Sequence, residues 1–241
     1  MIKRKSLLQG LPAALMVLSA AISICAQDNV KHNARPQQAA AAPSVVGDAK
    51  TEAVKYTYEF SQPKFVINHI VLEHDANGRG TVTFERMNET TPIVEPIELS
   101  SAALERIQAS WQALHFLESE TNYQADKQFP HLGTMRISMQ RGGRKRVAEF
   151  NWTKNADAST LVTEYRKAAD QAILIFDISI ARENQPLAVP KLMEAMELML
   201  KRDGLSDPQQ LLKLLQDLTT DEHVPLIARN HAQRLIKKIQ K

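Results

Sequence analysis

A tight turn at Asn77-Gly78 is the feature that most constrains the fold of this chain. It separates two runs rich in β-branched and apolar residues, 65–74 and 80–87. Asn-Gly supplies the two positive φ angles of a two-residue hairpin loop, whose twist matches that of the strands it joins. The sequence therefore predicts a β-hairpin here, and the rest of the chain has to be compatible with an antiparallel strand pair.

A second hairpin is predicted around Gly142-Gly143. Apolar residues alternate with polar ones on both sides of this turn, over 135–140 and 147–152. Because successive side chains of a strand point to opposite faces, such alternation is typical of half-buried strands.

Two further strands are predicted around the first hairpin. Residues 54–60 alternate in the same way, with aromatic residues on one face. Residues 93–98 form a short strand that contains Pro96 and follows Pro92. Because proline cannot donate a ladder hydrogen bond, this strand is expected at a sheet edge.

Two helices alternate with the hairpins. The first is capped by Ser100 or Ser101, carries apolar residues at steps of three and four, and ends near Leu117. The second runs from about Asp157 to Glu183. Between Ala172 and Ile180 it is apolar nearly all round, so this half is expected to be buried on several sides.

Three short helices are predicted after residue 186. The first runs from about Pro190 to Arg202. The second begins at Asp207-Pro208, where Gln210 completes a capping box. The third covers about 221–240, with Pro225 tolerated in its first turn.

These elements predict an α+β fold. An antiparallel sheet built from two ββα units, with its helices on one face, is expected over 53–185, and a small all-helical subdomain over 186–241. Four aromatic residues are expected in the core: Trp111, Phe150, Trp152 and Phe176.

Residues 1–26 have the composition of a signal peptide. Lys3, Arg4 and Lys5 precede an apolar run whose strongest part, Ala13–Ile24, is short for a membrane span. Residues 27–52 are poor in large apolar side chains and predict a disordered linker that serves as a tether. The protein is therefore expected to be secreted or periplasmic.

Cys25 lies at the end of this predicted signal and leaves two alternatives open. It is a lipidation candidate, although Ile24 before it is larger than the residue such motifs carry; the other alternative is an uncleaved anchor. It is also the only cysteine, so a chain cleaved after Ala26 contains neither a disulfide nor a thiolate metal site.

Charge argues against nucleic acid as a partner. Without residues 1–26 the chain holds 27 basic and 27 acidic residues. A neutral chain has no global electrostatic attraction to nucleic acid or anionic lipid. No membrane span is expected after the signal is removed.

The histidines and methionines have structural explanations. His69 and His74 are five residues apart in a strand, so they face opposite sides of the sheet. His223 and His231 lack the four-residue spacing of a helical zinc pair and are expected at the surface or at caps. Three methionines at spacing three are expected to be core: Met193, Met196 and Met199. The sequence therefore predicts no catalytic residue, no cofactor and no metal.

One charge cluster is a candidate for binding a partner. The second turn is surrounded by basic residues: Arg141, Arg144, Lys145 and Arg146. A projecting basic hairpin tip fits an acidic partner. The alternative is that these charges keep the turn solvated and protect the strand edges from aggregation.

The order hairpin, helix, hairpin, long helix over 56–183 resembles small secreted bacterial proteins of unknown function and is similar in layout to emfourin-type protease inhibitors. Residues 207–241 resemble a single HEAT-like helical pair. The emfourin resemblance implies inhibitor-like binding but transfers no functional residue.

The predicted export signal, the tethering linker and the two-hairpin layout, together with the absence of recognisable catalytic motifs, predict a non-catalytic protein-interaction module of the cell envelope. The alternative is an enzyme or a metal-binding protein whose site is assembled from scattered His, Asp and Glu residues.

Overall fold

The structure, a computed structural model, describes residues 53–241. The predicted signal over 1–26, with Cys25, and the predicted linker over 27–52 lie outside the described residues. They remain predictions.

Six antiparallel strands form one sheet in the order β4-β3-β2-β1-β5-β6, which confirms the predicted antiparallel sheet. The first strand is central, since it pairs with β2 on one side and with β5 on the other, and so joins the two hairpins. The strands are β1 Val54–Ser61, β2 Ile67–Asp75, β3 Arg79–Arg86, β4 Ile93–Glu98, β5 Thr134–Arg141 and β6 Arg144–Phe150.

Strand β4 lies at the sheet edge, as its prolines predicted. The Leu99 N–H donates to the Gly78 carbonyl at 2.9 Å, just beyond the β3–β4 ladder. Because bonded and non-bonded pairs alternate along an antiparallel ladder, Pro96, opposite Thr81, occupies a non-bonded position. The missing N–H of Pro96 would have pointed away from β3, so no hydrogen bond between β3 and β4 is lost. The free edge of β4 therefore has one fewer hydrogen-bond donor.

Five α-helices follow the predicted order, with small differences at their ends. The first stops at Ala113 rather than near Leu117, because His115 takes a left-handed φ of 44°. Its N-cap is Ser100, whose hydroxyl accepts from the Ala103 N–H at 3.2 Å. The helices are α1 Ser101–Ala113, α2 Ala156–Asn184, α3 Val189–Lys201, α4 Leu212–Thr220 and α5 Leu226–Ile239.

The predicted capping box before α4 does not form. Asp207 accepts from the Gln209 N–H at 2.9 Å, but it caps a short 3-10 helix over Pro208–Leu211. Gln210 turns to tertiary partners instead, and its side-chain amide donates to the Glu98 carbonyl at 3.0 Å. The last helix begins at Leu226, directly after Pro225 rather than around it.

Two hydrophobic cores share α2. One face of the sheet packs on α1 and the first half of α2, from Ala158 to Ile173. The second half, from Leu174 to Ala181, packs on α3, α4 and α5. This arrangement confirms the α+β class, and the described residues belong to one compact unit.

The predicted core is largely confirmed, with one error. Trp111 and Phe150 are buried, and Phe176 is half-buried with its ring 5.5 Å from Phe84. Trp152 is 46% exposed. Strand β6 ends at Phe150, so the alternation that placed Trp152 in the core no longer applies two residues later.

The buried half of α2 and the methionine stripe also match the sequence in most positions. Ile173, Leu174 and Ile178 are buried, although Ile180 at the end of this half is exposed. In α3, Met193 and Met196 are buried and Met199 packs against the same core.

Candidate functional site

Two of the four basic residues at the tip of the second hairpin, Arg144 and Arg146, bond to other parts of the chain. Arg144 donates to the Leu117 carbonyl at 2.8 Å and pairs with Glu118 at 3.1 Å. Arg141 and Lys145 are exposed and make no ion pair within the described residues. The expected cluster of four free cations is therefore reduced to these two.

Arg146 has a structural role that the sequence did not show. Its guanidinium donates to the Phe116 carbonyl at 2.7 Å and to the Thr121 carbonyl at 2.6 Å. It also lies 4.6 Å above the Phe116 ring centroid, within cation–π range. This side chain holds the segment after α1 against the β6 edge, so Arg146 stabilises the fold in addition to carrying a charge at the tip.

His69 lies on the open face of the sheet, opposite to His74, as predicted. Its Nδ1 is 3.1 Å from a Glu85 oxygen and its Nε2 is 3.1 Å from a Glu59 oxygen. Burial disfavours the charged ring, but the hydrogen bonds to Glu85 and Glu59 outweigh it and raise the pKa of His69 above its ordinary value. The two carboxylates bind opposite ring nitrogens, which is the geometry of an ion-pair bridge.

His74 belongs to a buried network with Tyr165 and Trp111. Its Nδ1 is 2.7 Å from the Asp75 carbonyl, which only accepts, so Nδ1 carries the proton. Its Nε2 then accepts from the Tyr165 hydroxyl at 2.8 Å. Burial lowers the pKa of His74. The ring is therefore neutral and fully hydrogen-bonded in the core.

The C-terminal histidines differ from each other. His223 is exposed beside Asp221, as expected. His231 is buried, contrary to the surface prediction, and its Nε2 lies 2.8 Å from Glu197, which also contacts Lys238. Within residues 53–241, no group of three or more His, Cys, Asp or Glu is arranged to hold a metal ion.

Several exposed apolar side chains lie at one end of the sheet. Because the strands are antiparallel, the segments 62–66, 87–92, 129–133 and 151–155 all lie at this end. Val66 is 72% exposed and Met87 is 51% exposed. We call this surface the apolar end and define it by Phe65, Val66, Met87, Leu132 and Trp152.

Aromatic packing orders the Trp152 side of the apolar end. The Trp152 and Phe129 rings meet edge to face, with centroids 5.5 Å apart. The Asn151 side chain accepts from the Phe129 N–H at 3.0 Å, and the Trp152 carbonyl accepts from the Ala125 N–H at 2.9 Å. The indole is therefore held on a hydrogen-bonded frame although its surface is open.

Buried Gln62 ties the other loops of the apolar end together. Its side-chain amide donates to the carbonyls of Pro130 and His131, each at 3.0 Å. Val66 accepts from the Met87 N–H at 2.9 Å. Gly133 makes the close approach possible, since it takes a φ of 90° and a Cβ there would lie 2.6 Å from the Phe60 ring. The apolar end is a preformed surface.

The sequence analysis missed the apolar end because it assigned Trp152 to the core. The available signal was the polar run Thr153–Asn155, in which Asn155 becomes the N-cap of α2. When a capped helix follows a strand directly, the strand ends before the polar residues that lead to the cap.

Comparison with known proteins does not assign this chain to a family. No family model matches the chain, and no curated protein matches it. The resemblances of 56–183 to emfourin-type inhibitors and of 207–241 to a HEAT-like pair therefore remain hypotheses.

Proposed function

We propose that this chain is an exported, non-catalytic protein-interaction module of the cell envelope, and that it binds its partner through the apolar end. The exposed, firmly held indole of Trp152 carries this proposal. Tryptophan is enriched among the residues that contribute most to protein–protein affinity.

The composition of the apolar end supports an interface. Phe65, Val66 and Met87 come from loops that the Gln62 and Val66 hydrogen bonds connect to the Trp152 side. Exposed apolar side chains that are grouped at one place on a protein, rather than scattered singly, mark interaction sites. Because these loops are already ordered by the core, binding would cost little conformational entropy.

Charges around the apolar end indicate the chemistry of the partner. Lys64 and Lys127 have no ion-pair partner in the described part of the chain, and the Lys127 ammonium lies 4.9 Å from the Phe129 ring centroid. Glu89 is exposed at the opposite margin, beside Met87. The surface therefore fits a folded partner that presents apolar side chains with carboxylates facing Lys64 and Lys127.

The predicted location rests on the sequence. A signal over 1–26 would export the chain, and a linker over 27–52 would tether the folded part at a distance from its attachment or processing site. Among residues 53–241 no helix combines the length and the apolarity needed to cross a membrane.

The experiment compares two single variants of the exported protein as capture baits in envelope extract. Trp152→Ala removes the central indole, and Ile227→Ala, which removes an exposed side chain on α5, is the matched control. We expect Trp152→Ala to weaken capture of the partner by about tenfold or more and Ile227→Ala to retain it. Equal capture by wild type and Trp152→Ala would overturn the proposed interface.

A further inference from the structure

A cleft on the helical side of the sheet is separate from the apolar end. Its floor comes from Tyr58 on β1 and Met135 on β5, its wall from Arg166 and Asp170 on α2, and its rim from the α3–α4 loop at Arg202. The cavity has a volume of about 550 Å³, which is in the range of small-molecule sites.

The hydroxyl of Tyr58 is the unusual group in this cleft. The side chain has no exposed surface, and its hydroxyl has no hydrogen-bond partner within the described residues. The ring cannot easily move away, because it stacks on Tyr165 with centroids 5.4 Å apart. A buried hydroxyl without a hydrogen-bond partner destabilises the folded state, so an acceptor supplied by a ligand would be favourable. Burial raises the pKa of Tyr58, so the hydroxyl keeps its proton and can donate.

Arg166 adds a cation with unused donors. Its guanidinium is held 4.3 Å from the Phe60 ring centroid, and its nearest carboxylate oxygen, on Asp170, is 3.8 Å from Nε. That separation is longer than a hydrogen bond, and the guanidinium also lies beside the Tyr58 hydroxyl, where it opposes the effect of burial on the pKa of Tyr58. Since a guanidinium carries five N–H donors, the cleft holds donors that lack acceptors.

The balance of charge favours an anion. Lys167 is already paired with Asp203 at 2.7 Å, whereas Arg202 has no ion pair in the described part of the chain. Asp170 is the one lining carboxylate without a lysine partner, and burial raises its pKa. With three basic and two acidic lining residues, the cleft carries a net positive charge.

We infer that this cleft binds a small oxyanion, a carboxylate or phosphate group, whose oxygens accept hydrogen bonds from the Arg166 guanidinium and, once a shift of the Arg166 side chain uncovers it, from the Tyr58 hydroxyl. Such a ligand would supply the acceptor that Tyr58 lacks. The inference is independent of the protein partner proposed for the apolar end, since the two sites share no residue.

Titration calorimetry tests it with citrate and inorganic phosphate as separate probes, at constant ionic strength. We expect saturable binding below about 10 mM, and the tighter of the two probes identifies the headgroup. Tyr58→Phe and Arg166→Gln are each expected to weaken that binding about tenfold or more. Arg136→Gln, on the opposite face of the sheet, is the matched control and should bind like wild type.

The stability of Tyr58→Phe separates lost binding from misfolding. Because this change removes an unpartnered buried hydroxyl, the variant is expected to unfold at the same or higher urea concentration than ligand-free wild type. Lack of saturable binding of either probe would overturn the inference. So would binding that Tyr58→Phe and Arg166→Gln leave unchanged, or that Arg136→Gln weakens equally.

Discussion

The indole N–H of Trp111 donates to the hydroxyl of Tyr165 at 2.9 Å, and this hydroxyl in turn donates to Nε2 of His74. One buried oxygen therefore connects α1, α2 and β2. Because indole only donates and Nε2 of this His74 tautomer only accepts, the Tyr165 hydroxyl is the group that satisfies both.

Replacing Tyr165 with phenylalanine is expected to destabilise the protein by about 1–3 kcal/mol, because it leaves the Trp111 N–H and the His74 Nε2 unpartnered in the core. Urea unfolding at neutral pH measures the change. Tyr58→Phe is the matched control, since it removes a buried hydroxyl that has no partner. Equal effects of the two changes would contradict the network.

His69 makes a pH-dependent contribution to stability. Its folded pKa lies above the ordinary 6.5, so its stabilising effect is full below 6.5 and is lost as pH rises through the folded value. We therefore expect His69→Gln to cost more stability at about pH 5.5 than at about pH 8.5. Urea unfolding at both values measures this.

His131→Gln is the control for that comparison, because His131 is exposed and its side chain makes no hydrogen bond or ion pair within the described residues. The expected difference between the two pH values should appear for His69→Gln and not for His131→Gln. A cost for His69→Gln that is the same at both pH values would show that the Glu59 and Glu85 contacts do not charge the ring.

Arg146→Ala is expected to destabilise the protein by about 1–2 kcal/mol, because it removes two hydrogen bonds to backbone carbonyls and the contact with the Phe116 ring. Thermal unfolding measures the loss. Lys145→Ala, one residue away and exposed, should leave stability unchanged. If both changes have the same effect on thermal stability, the Arg146 contacts do not stabilise the fold. The basic tip would then again be a candidate partner-binding site.

Gly133→Ala is expected to destabilise the protein by about 2 kcal/mol or more, since it combines a φ of 90° with a Cβ only 2.6 Å from the Phe60 ring. Gly143→Ala provides the comparison, because a Cβ there meets nothing within 4 Å. Chemical unfolding of both variants measures the contrast. A neutral Gly133→Ala would mean that the Phe60 ring and the segment before β5 move apart readily.

Local signals in the sequence were enough to predict most of the architecture. The Asn77-Gly78 turn, the alternation in β1 and the two prolines near β4 each depend on residues adjacent in the chain. Backbone preferences and side-chain periodicity act over that same short range. The hairpins, the edge position of β4 and the opposite faces of His69 and His74 were therefore predictable.

Other features required contacts between residues far apart in the chain. Trp152 continues the sequence alternation of Phe150 but lies past the last ladder position of β6. Arg146 donates hydrogen bonds to carbonyls 25 and 30 residues away. Tyr58 alternates like any core residue, yet its hydroxyl is isolated.

By itself, then, the amino-acid sequence determined the strands, the helices and the apolar face of each, because local backbone preferences and side-chain spacing act within a few residues. Only the tertiary structure decided which polar atoms are paired and which apolar side chains stay exposed. Both outcomes depend on which distant segments meet when the sheet and α2 pack together.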